Sequence, residues 1–328
     1  MTAGSRPPSA SHDLPCRLNW IDRLHARVHE PDVHAVALNR SLVVYFHLLA
    51  LVGVVSISFS AIFVRLASVS PVTATLFRAL YAVPALLAVW MPQRAKDVRS
   101  GRERAVAVVS GLVLALDLTL WHESIALVGA GLGTVIANVQ VVFVAAAAWL
   151  LYGERPKPGV LVIVAAVAGG VALTSGLSRH DAYGTNPALG AVLGVLAGLT
   201  YAAFLLLFRS ATRSLAPTSG PLLDSTIGTI AGALAFAAFD PGFSLVPTWP
   251  AHGWLVLLAL VSQVIGWLLI ATALPRLPAI ETSVLLLGQP VLAVLWGVLW
   301  FAERLSPVQW AGSALVLAGV AAMSTTTD

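Results

Sequence analysis

A single cysteine, Cys16, stands among 328 residues, so no disulfide can form within the chain and no cysteine-built metal site is available. Charge is equally scarce. Asp, Glu, Lys and Arg make up 10% of the residues, where a soluble domain carries about 25%. That shortage excludes an ordinary water-facing surface. Chemical signatures are missing too. No glycine-rich phosphate loop ending in Lys-Ser/Thr is present, which excludes an ATP-driven pump within this chain. No Gly-x-Ser-x-Gly motif occurs. His122-Glu123 begins as a zinc-protease helix does, but the position that needs the second His is Ala126. An intramembrane enzyme is therefore a weakly supported alternative, and no metal or cofactor is expected. A channel filter of charged rings or exposed carbonyls is not visible either. Residues 1–41 hold Pro7, Pro8, Pro15 and Pro31 and lack the apolar segment of a secretory signal. They read as a disordered cytoplasmic tail.

What fills the rest is apolar: 58% of the chain is hydrophobic. Runs of about 20 apolar residues have the length a helix needs to cross a bilayer. They predict spans at residues 42–66, 72–91, 104–127, 130–151, 158–176, 187–209, 217–239, 252–274, 279–301 and 307–324. A lipid-exposed backbone must satisfy its own hydrogen bonds, and the alternation of barrel strands is missing, so the spans are helices. The expected fold is an all-α polytopic membrane protein with the lipid bilayer as partner. Joints as short as Leu127 to Ala130 and Pro275 to Ala279 make consecutive helices antiparallel. With the N-terminus inside, fifteen of the nineteen Lys and Arg fall at inner segments, and Arg65, Arg179 and Arg304 fall outside. This bias puts both termini in the cytoplasm. It also accounts for the net charge of +4 without a nucleic-acid partner.

One pattern occurs twice. Gln140 falls on Gln289, Val142 on Val291, Glu154-Arg155 on Glu303-Arg304 and Pro158 on Pro307, an offset of 149 residues with no gap. The unit is five helices, residues 42–176 and again 187–325. Five is odd, so the second copy enters the membrane from the opposite side. Inverted repeats of this kind give two near-equivalent halves whose exchange of conformation alternates the access to a central cavity.

The paired stretches "WLLYGERPKPGVLVIVAAVAGGVAL" and "VLWFAERLSPVQWAGSALVLAGVAA" resemble the drug/metabolite transporter superfamily, specifically its ten-helix EamA-type members. "PVTATLFRAL" resembles that family's second helix, which commonly carries an Arg where Arg78 stands. The resemblance implies a small-molecule carrier, most often an exporter of amino acids, metabolites or drugs, and in many members one driven by the proton gradient. Val141 departs from the family, which usually has Pro there, as at Pro290 of the second copy. The first copy is then expected to be the less kinked.

Polar groups at membrane depth are costly, so each is a candidate for function. Asp117 lies mid-span, with Arg78 its nearest possible partner. It either binds a proton or a substrate amine, or forms a fixed ion pair. Trp121 lies one turn beyond Asp117, and Gln263 and Trp267 repeat that spacing. These are cavity walls, or else lipid-facing anchors. Asn138 and Gln140 are two apart and are expected to point different ways. Gln140 and Gln289 are symmetry mates that share a cavity or hydrogen-bond between helices. Tyr201 completes the set of Arg78, Asp117, Trp121, Asn138, Gln140, Tyr201, Gln263, Trp267 and Gln289. Asp224 is expected to reach cytoplasmic water, His122 and Glu123 to be solvated at the outer interface, and His47 to be packed. Glu154 and Glu303 read as interfacial fold elements. Gly129-Gly133 and Gly190-Gly194-Gly198 read as surfaces of close helix approach.

The expected function is a proton-coupled exporter of small organic metabolites (amino acids, purines or drugs), working by alternating access in a bacterial plasma membrane. A facilitator or exchanger without proton coupling is the alternative. Oligomeric state is not set by the sequence.

Overall fold

The computed structural model describes residues 33–152, 158–174, 182–212, 217–273, 277 and 279–326. Among them every regular element is helical, and the chain is an all-α polytopic membrane protein. It divides into two units, Met1–Val44 and Tyr45–Asp328, and the second holds the bundle. Six stretches are long and apolar enough to cross a membrane: Val44–Ala67, Pro71–Lys96, Gly101–Val128, Pro187–Ala211, Ser219–Phe239 and Ala251–Ala273. Shorter apolar helices at Ala130–Val144, Val162–Thr174, Leu285–Phe301 and Pro307–Ala322 fall on the remaining expected spans.

The first expected span is two helices. Helix α1 (Val33–Ser58) starts well before the apolar run, since no proline or glycine intervenes between Asp32 and Leu51. It breaks at Phe59 before α2 (Ser60–Ala67). Ser56 Oγ donates to Val52 O and Ser58 Oγ to Val55 O, so hydroxyls compete for carbonyls of the ladder just ahead of the break. Helix α3 (Pro71–Trp90) starts on Ser70, whose hydroxyl accepts from Thr73 N–H, with Pro71 in the first turn. Helix α4 (Gly101–Val128) begins ahead of its apolar run because Ser100 and Glu103 cap each other reciprocally. It ends at Gly129, whose φ of 92° lets one residue reverse the chain into α5 (Ala130–Ala137).

The fourth span overturns an expectation. Without a proline, the first copy is nevertheless the broken one: α5 stops and α6 (Gln140–Tyr152) starts afresh. The second copy, α12 (Ala279–Phe301), runs continuously through Pro290. The cause lies in Asn138. Its side-chain amide donates to Thr134 O at 2.8 Å, and the N–H groups of Asn138, Val139, Val141 and Val142 bond three residues back rather than four. The ladder tightens into 3₁₀ turns there.

The remaining elements are 3₁₀ turns at Met91–Lys96 and Ala237–Phe239, α7 (Pro158–Thr174), α8 (Pro187–Ala211), α9 (Ser219–Phe236), α10 (Ala251–Leu257), a π-helical turn at Leu258–Gly266, α11 (Trp267–Ala273) and α13 (Pro307–Thr326). Helix α4 packs along both α8 and α9. Against α9 the backbones nearly touch. A Cβ on Gly111 would lie 1.8 Å from Ser225 O, and one on Gly228 would lie 2.0 Å from Val108 O. Thr229 Oγ1 donates across this seam to Gly111 O at 3.1 Å. The series on α8 behaves as expected: Gly190, Gly194 and Gly198 run close against Val128, Ile136 and Ala137.

Candidate substrate cavity

A cavity of about 220 Å³ lies where the two helix breaks and the π turn meet. Ile57 and Ser60 flank the first break, and Asn138 and Gln140 the second. Ser262 of the π turn donates to Ser56 O at 3.0 Å, and Gly266 lies tight against Ile57, which draws the turn onto α1. A π turn of this kind recurs at functional sites. All nine residues singled out above line this one cavity: Arg78, Asp117, Trp121, Asn138, Gln140, Tyr201, Gln263, Trp267 and Gln289. They come from both copies of the repeat.

One expectation about their arrangement is corrected, and one open alternative is narrowed. Asn138 and Gln140 do not diverge, because no single helix holds both; the break between them lets each reach the cavity. Arg78 and Asp117 do not form a contact ion pair among the described residues. Arg78 Nε instead donates to Gln263 Oε1 at 2.9 Å, while its Nη1 has no partner. Arg78 is 4% exposed and Asp117 6%, and the two charges act on each other only through space. Gln140 Oε1 and Ser60 Oγ are also buried without partners. Trp121 is buried rather than lipid-facing, and Trp267 meets Tyr201 and Phe204 edge-on.

Ser60 and Thr134 are polar cavity residues that the sequence reading passed over. Both left a signal. Ser60 closes a run of alternating serines, Ser56-Ile57-Ser58-Phe59-Ser60, inside an apolar span, and Thr134 stands one turn before Asn138.

The sequence pattern of the EamA-like transporter family matches residues 45–176 and, a second time, residues 188–325. The chain belongs to the EamA-like transporter family. This EamA-like protein is therefore a transporter and not an enzyme. It is similar to "Uncharacterized transporter YwfM" of Bacillus subtilis (strain 168), with 28% identity over 262 residues, covering 78% of this chain and 85% of that one. A solved crystal structure shares its fold at a TM-score of 0.59 and 17% identity, over 86% of this chain and 96% of that one.

Beyond the cavity the EamA-like transporter carries two charged clusters, one at each end of the bundle. At one end the chain turns sharply at Ala302, whose φ of 49° is rare for a residue with a side chain. The turn sends Glu303 inward. Its side chain is wholly buried and ion-paired to Arg65, and it accepts the N–H groups of Ala130 at 2.7 Å and Gly131 at 3.2 Å, at the start of α5. Arg65 also donates to Tyr183 Oη at 3.0 Å and lies over the Phe301 ring. Burial raises the Glu303 carboxyl above its usual range, against the opposing pull of the Ala130 N–H, Arg65 and the Gly131 N–H. Glu303 is thus a fold element, as expected, but a buried one whose partner is Arg65 rather than the adjacent Arg304. Glu154 lies outside the described residues. Between this cluster and the cavity, Phe59 stacks on Phe63 and Trp296, and Trp296 Nε1 donates to Ser58 Oγ.

At the other end Arg99 binds Asp97 through Nε and Nη2, both at 2.8 Å. Its Nη1 lies 2.8 Å from Asp224 Oδ2, an ion pair too poorly angled for a hydrogen bond. Asp224 therefore faces Arg99 while its side chain keeps 20% of its surface exposed, so it reaches water in part. The Arg99 hydrogen bonds hold the Asp97 carboxyl well below its usual range. His122 is also not solvated. It is 2% exposed, with Nδ1 between Thr75 Oγ1 and Pro71 O, and Pro71 and Thr75 belong to α3. Its neighbour Glu123 parts from it and lines a separate hollow with Asp240.

Proposed function

We propose that this EamA-like transporter is a secondary carrier that exports small organic metabolites by alternating access, in exchange for protons bound at Asp117. The observation that carries the reading is the convergence of nine polar and aromatic residues from both repeats on one cavity. An unpaired carboxylate in such a place is suited to taking up and releasing a proton as access alternates. The Glu303 cluster and the aromatic layer below it close one end. On the Lys and Arg bias that end faces outward, in a bacterial plasma membrane with both termini cytoplasmic. Cysteines placed at Ser100 and Ser178 should then label from opposite faces; labelling from the same face would undo the inverted topology.

Flux in proteoliposomes under an imposed pH gradient tests the function. The panel is amino acids, purines and cationic dyes. One class should move with the gradient, and Asp117→Asn should abolish the gradient-driven component. Exchange that ignores the gradient would make the protein a facilitator or exchanger and remove Asp117 from proton coupling. No movement or exchange of any compound would sink the carrier reading.

A further inference from the structure

The hollow that Glu123 and Asp240 share has a volume of about 330 Å³, larger than the central cavity, and no lining residue in common with it. It lies beside the C-terminal half of α4, the half that leads into Gly129 and the Glu303 seat. Helix α4 supplies Leu116 and Leu120, α8 supplies Leu193, and α9 with the 3₁₀ turn after it supplies Phe236 and Phe239. Leu116 and Phe239 are exposed on the flank of the bundle. Val109 and Leu112, also exposed, precede Leu116 by seven and four residues and so share its face of α4. The hollow is therefore the upper end of a lipid-facing strip, not a branch of the substrate cavity.

Its rim carries charge of one sign. Glu123 and Asp240 line it, and among the described residues no Lys or Arg does. Glu123 is exposed and has no ion-pair partner among the described residues. Asp240 is held in place, its Oδ2 accepting Val72 N–H at 3.2 Å and its Oδ1 accepting Gly242 N–H at 2.9 Å. A carboxylate accepts at about four sites, so capacity remains. The loop that follows is tied down by its backbone. Ser244 N–H donates to Thr73 Oγ1 at 3.0 Å and Val246 N–H to Ser244 Oγ at 3.2 Å, while Leu245, Val246 and Trp249 stay exposed. A fixed lip with exposed apolar and aromatic side chains suits the membrane–water boundary. The two carboxylates then stand at headgroup level, and the apolar walls of the hollow at acyl-chain level.

We infer that the hollow holds a phospholipid whose headgroup ends in a primary ammonium, phosphatidylethanolamine, with its ammonium between Glu123 and Asp240. One acyl chain lies against Leu116, Leu120, Leu193 and the two Phe rings. The volume equals roughly eleven waters, which admits a length of one chain and leaves the rest of the lipid in the bilayer. The ammonium brings three donors to the two carboxylates. A choline headgroup has the charge without the N–H donors, and an anionic glycerol headgroup is repelled.

Native mass spectrometry of the purified full-length protein tests this, with phosphatidylethanolamine, phosphatidylcholine and phosphatidylglycerol of identical chains as the probes. Phosphatidylethanolamine should fill one site about fivefold more tightly than either of the others. Glu123→Gln alone should narrow that preference without moving the melting temperature in lipid-free detergent, which separates headgroup contact from a structural role. The double variant Glu123→Gln/Asp240→Asn should abolish the preference. A phosphatidylethanolamine with a photoreactive diazirine in one chain should cross-link within residues 116–123 or 236–241, and Leu120→Trp, which fills the hollow, should prevent it. Equal binding of the three lipids, a preference that survives the double variant, or cross-links confined to other segments would overturn the inference. So would a second copy of the chain seated on this flank, seen as a dimer that cross-links through these residues and that excess phosphatidylethanolamine does not disperse.

Discussion

The two copies of the repeated helix start from one sequence pattern and end in different shapes. The first, α5 and α6, is broken at Asn138 and receives a carboxylate at its N-terminus. The second, α12, is continuous through Pro290 and leads directly into the residue that supplies that carboxylate, Glu303. Proline therefore does not decide which copy breaks; competition by an amide side chain for a backbone carbonyl does. The seats differ as well. The first copy opens with Gly129-Ala130-Gly131, where the second has Pro278-Ala279-Ile280. A Cβ on Gly131 would lie 2.8 Å from Val294 Cα and 3.2 Å from Glu303 Oε2. The second copy lacks these glycines, so its sequence predicts no equally close seat for Glu154. Two halves of a repeat can thus hold their ends shut with unequal strength.

The largest effect should come from removing Glu303. Glu303→Ala takes the acceptor from the part-exposed Arg65 and from two buried N–H groups, a loss of about 1–3 kcal/mol for each stranded N–H. In a Cys16→Ser background, a cysteine at Ser60 should then react faster with an impermeant thiol reagent from the Glu303 end. Glu154→Ala should not produce this from that end; equal effects would erase the difference between the two seats. Gly131→Ala comes next, at about 1–3 kcal/mol for overpacking against Val294, read as a lower melting temperature. An unchanged melting point would mean that the seat tolerates a side chain.

A third contrast lies in pH. The seated Glu303 carboxyl is raised by burial, so it holds a proton more readily than an exposed one. By linkage, protonation favours the seated form. That stabilisation is complete below the ordinary Glu value and disappears as pH rises through the raised one. Glu303→Gln, a neutral mimic that keeps an acceptor, should accordingly preserve closure far better than Glu303→Ala. Asp97 has the opposite sign. Its contribution is present above the ordinary Asp value of about 4 and is lost as pH falls toward the depressed one. Acid should therefore slow labelling at the Glu303 end and loosen the Asp97 end; a shift of both in the same direction would refute the assignment. The smallest effect is expected from Asn138→Ala, about 1 kcal/mol. It should slow hydrogen exchange around residues 134–142 as the ladder becomes continuous, whereas Pro290→Ala should change exchange in α12 little.

Much of the cavity was legible because of one cost. A polar group in an apolar run needs a reason to be there, and that rule alone marked residues on seven helical stretches which the fold then brought together. The repeat itself was legible letter by letter. The charged ends were not. Arg65 and Glu303 are 238 residues apart, and their meeting depends on the backbone turn at Ala302, which no residue preference predicts. Arg99 and Asp224 were each visible as charges near an interface, but nothing local pairs them. Gly129 was readable as a point of close helix approach, yet its role as a wall of the Glu303 seat is a matter of packing. His122 misled for the reverse reason: its place near a helix end implied water, and α3 covers it.

The seam between α4 and α9 has a use for anyone watching the molecule move. Backbones this close leave no side chain to rotate and no gap to slide into. A pair of spectroscopic labels set across Gly111 and Gly228, on the outward faces of the two helices, would report a distance that stays constant while others change. That makes the seam an internal ruler, and a cycle recorded against it would separate true rearrangement of the halves from the drift of the whole protein in its membrane.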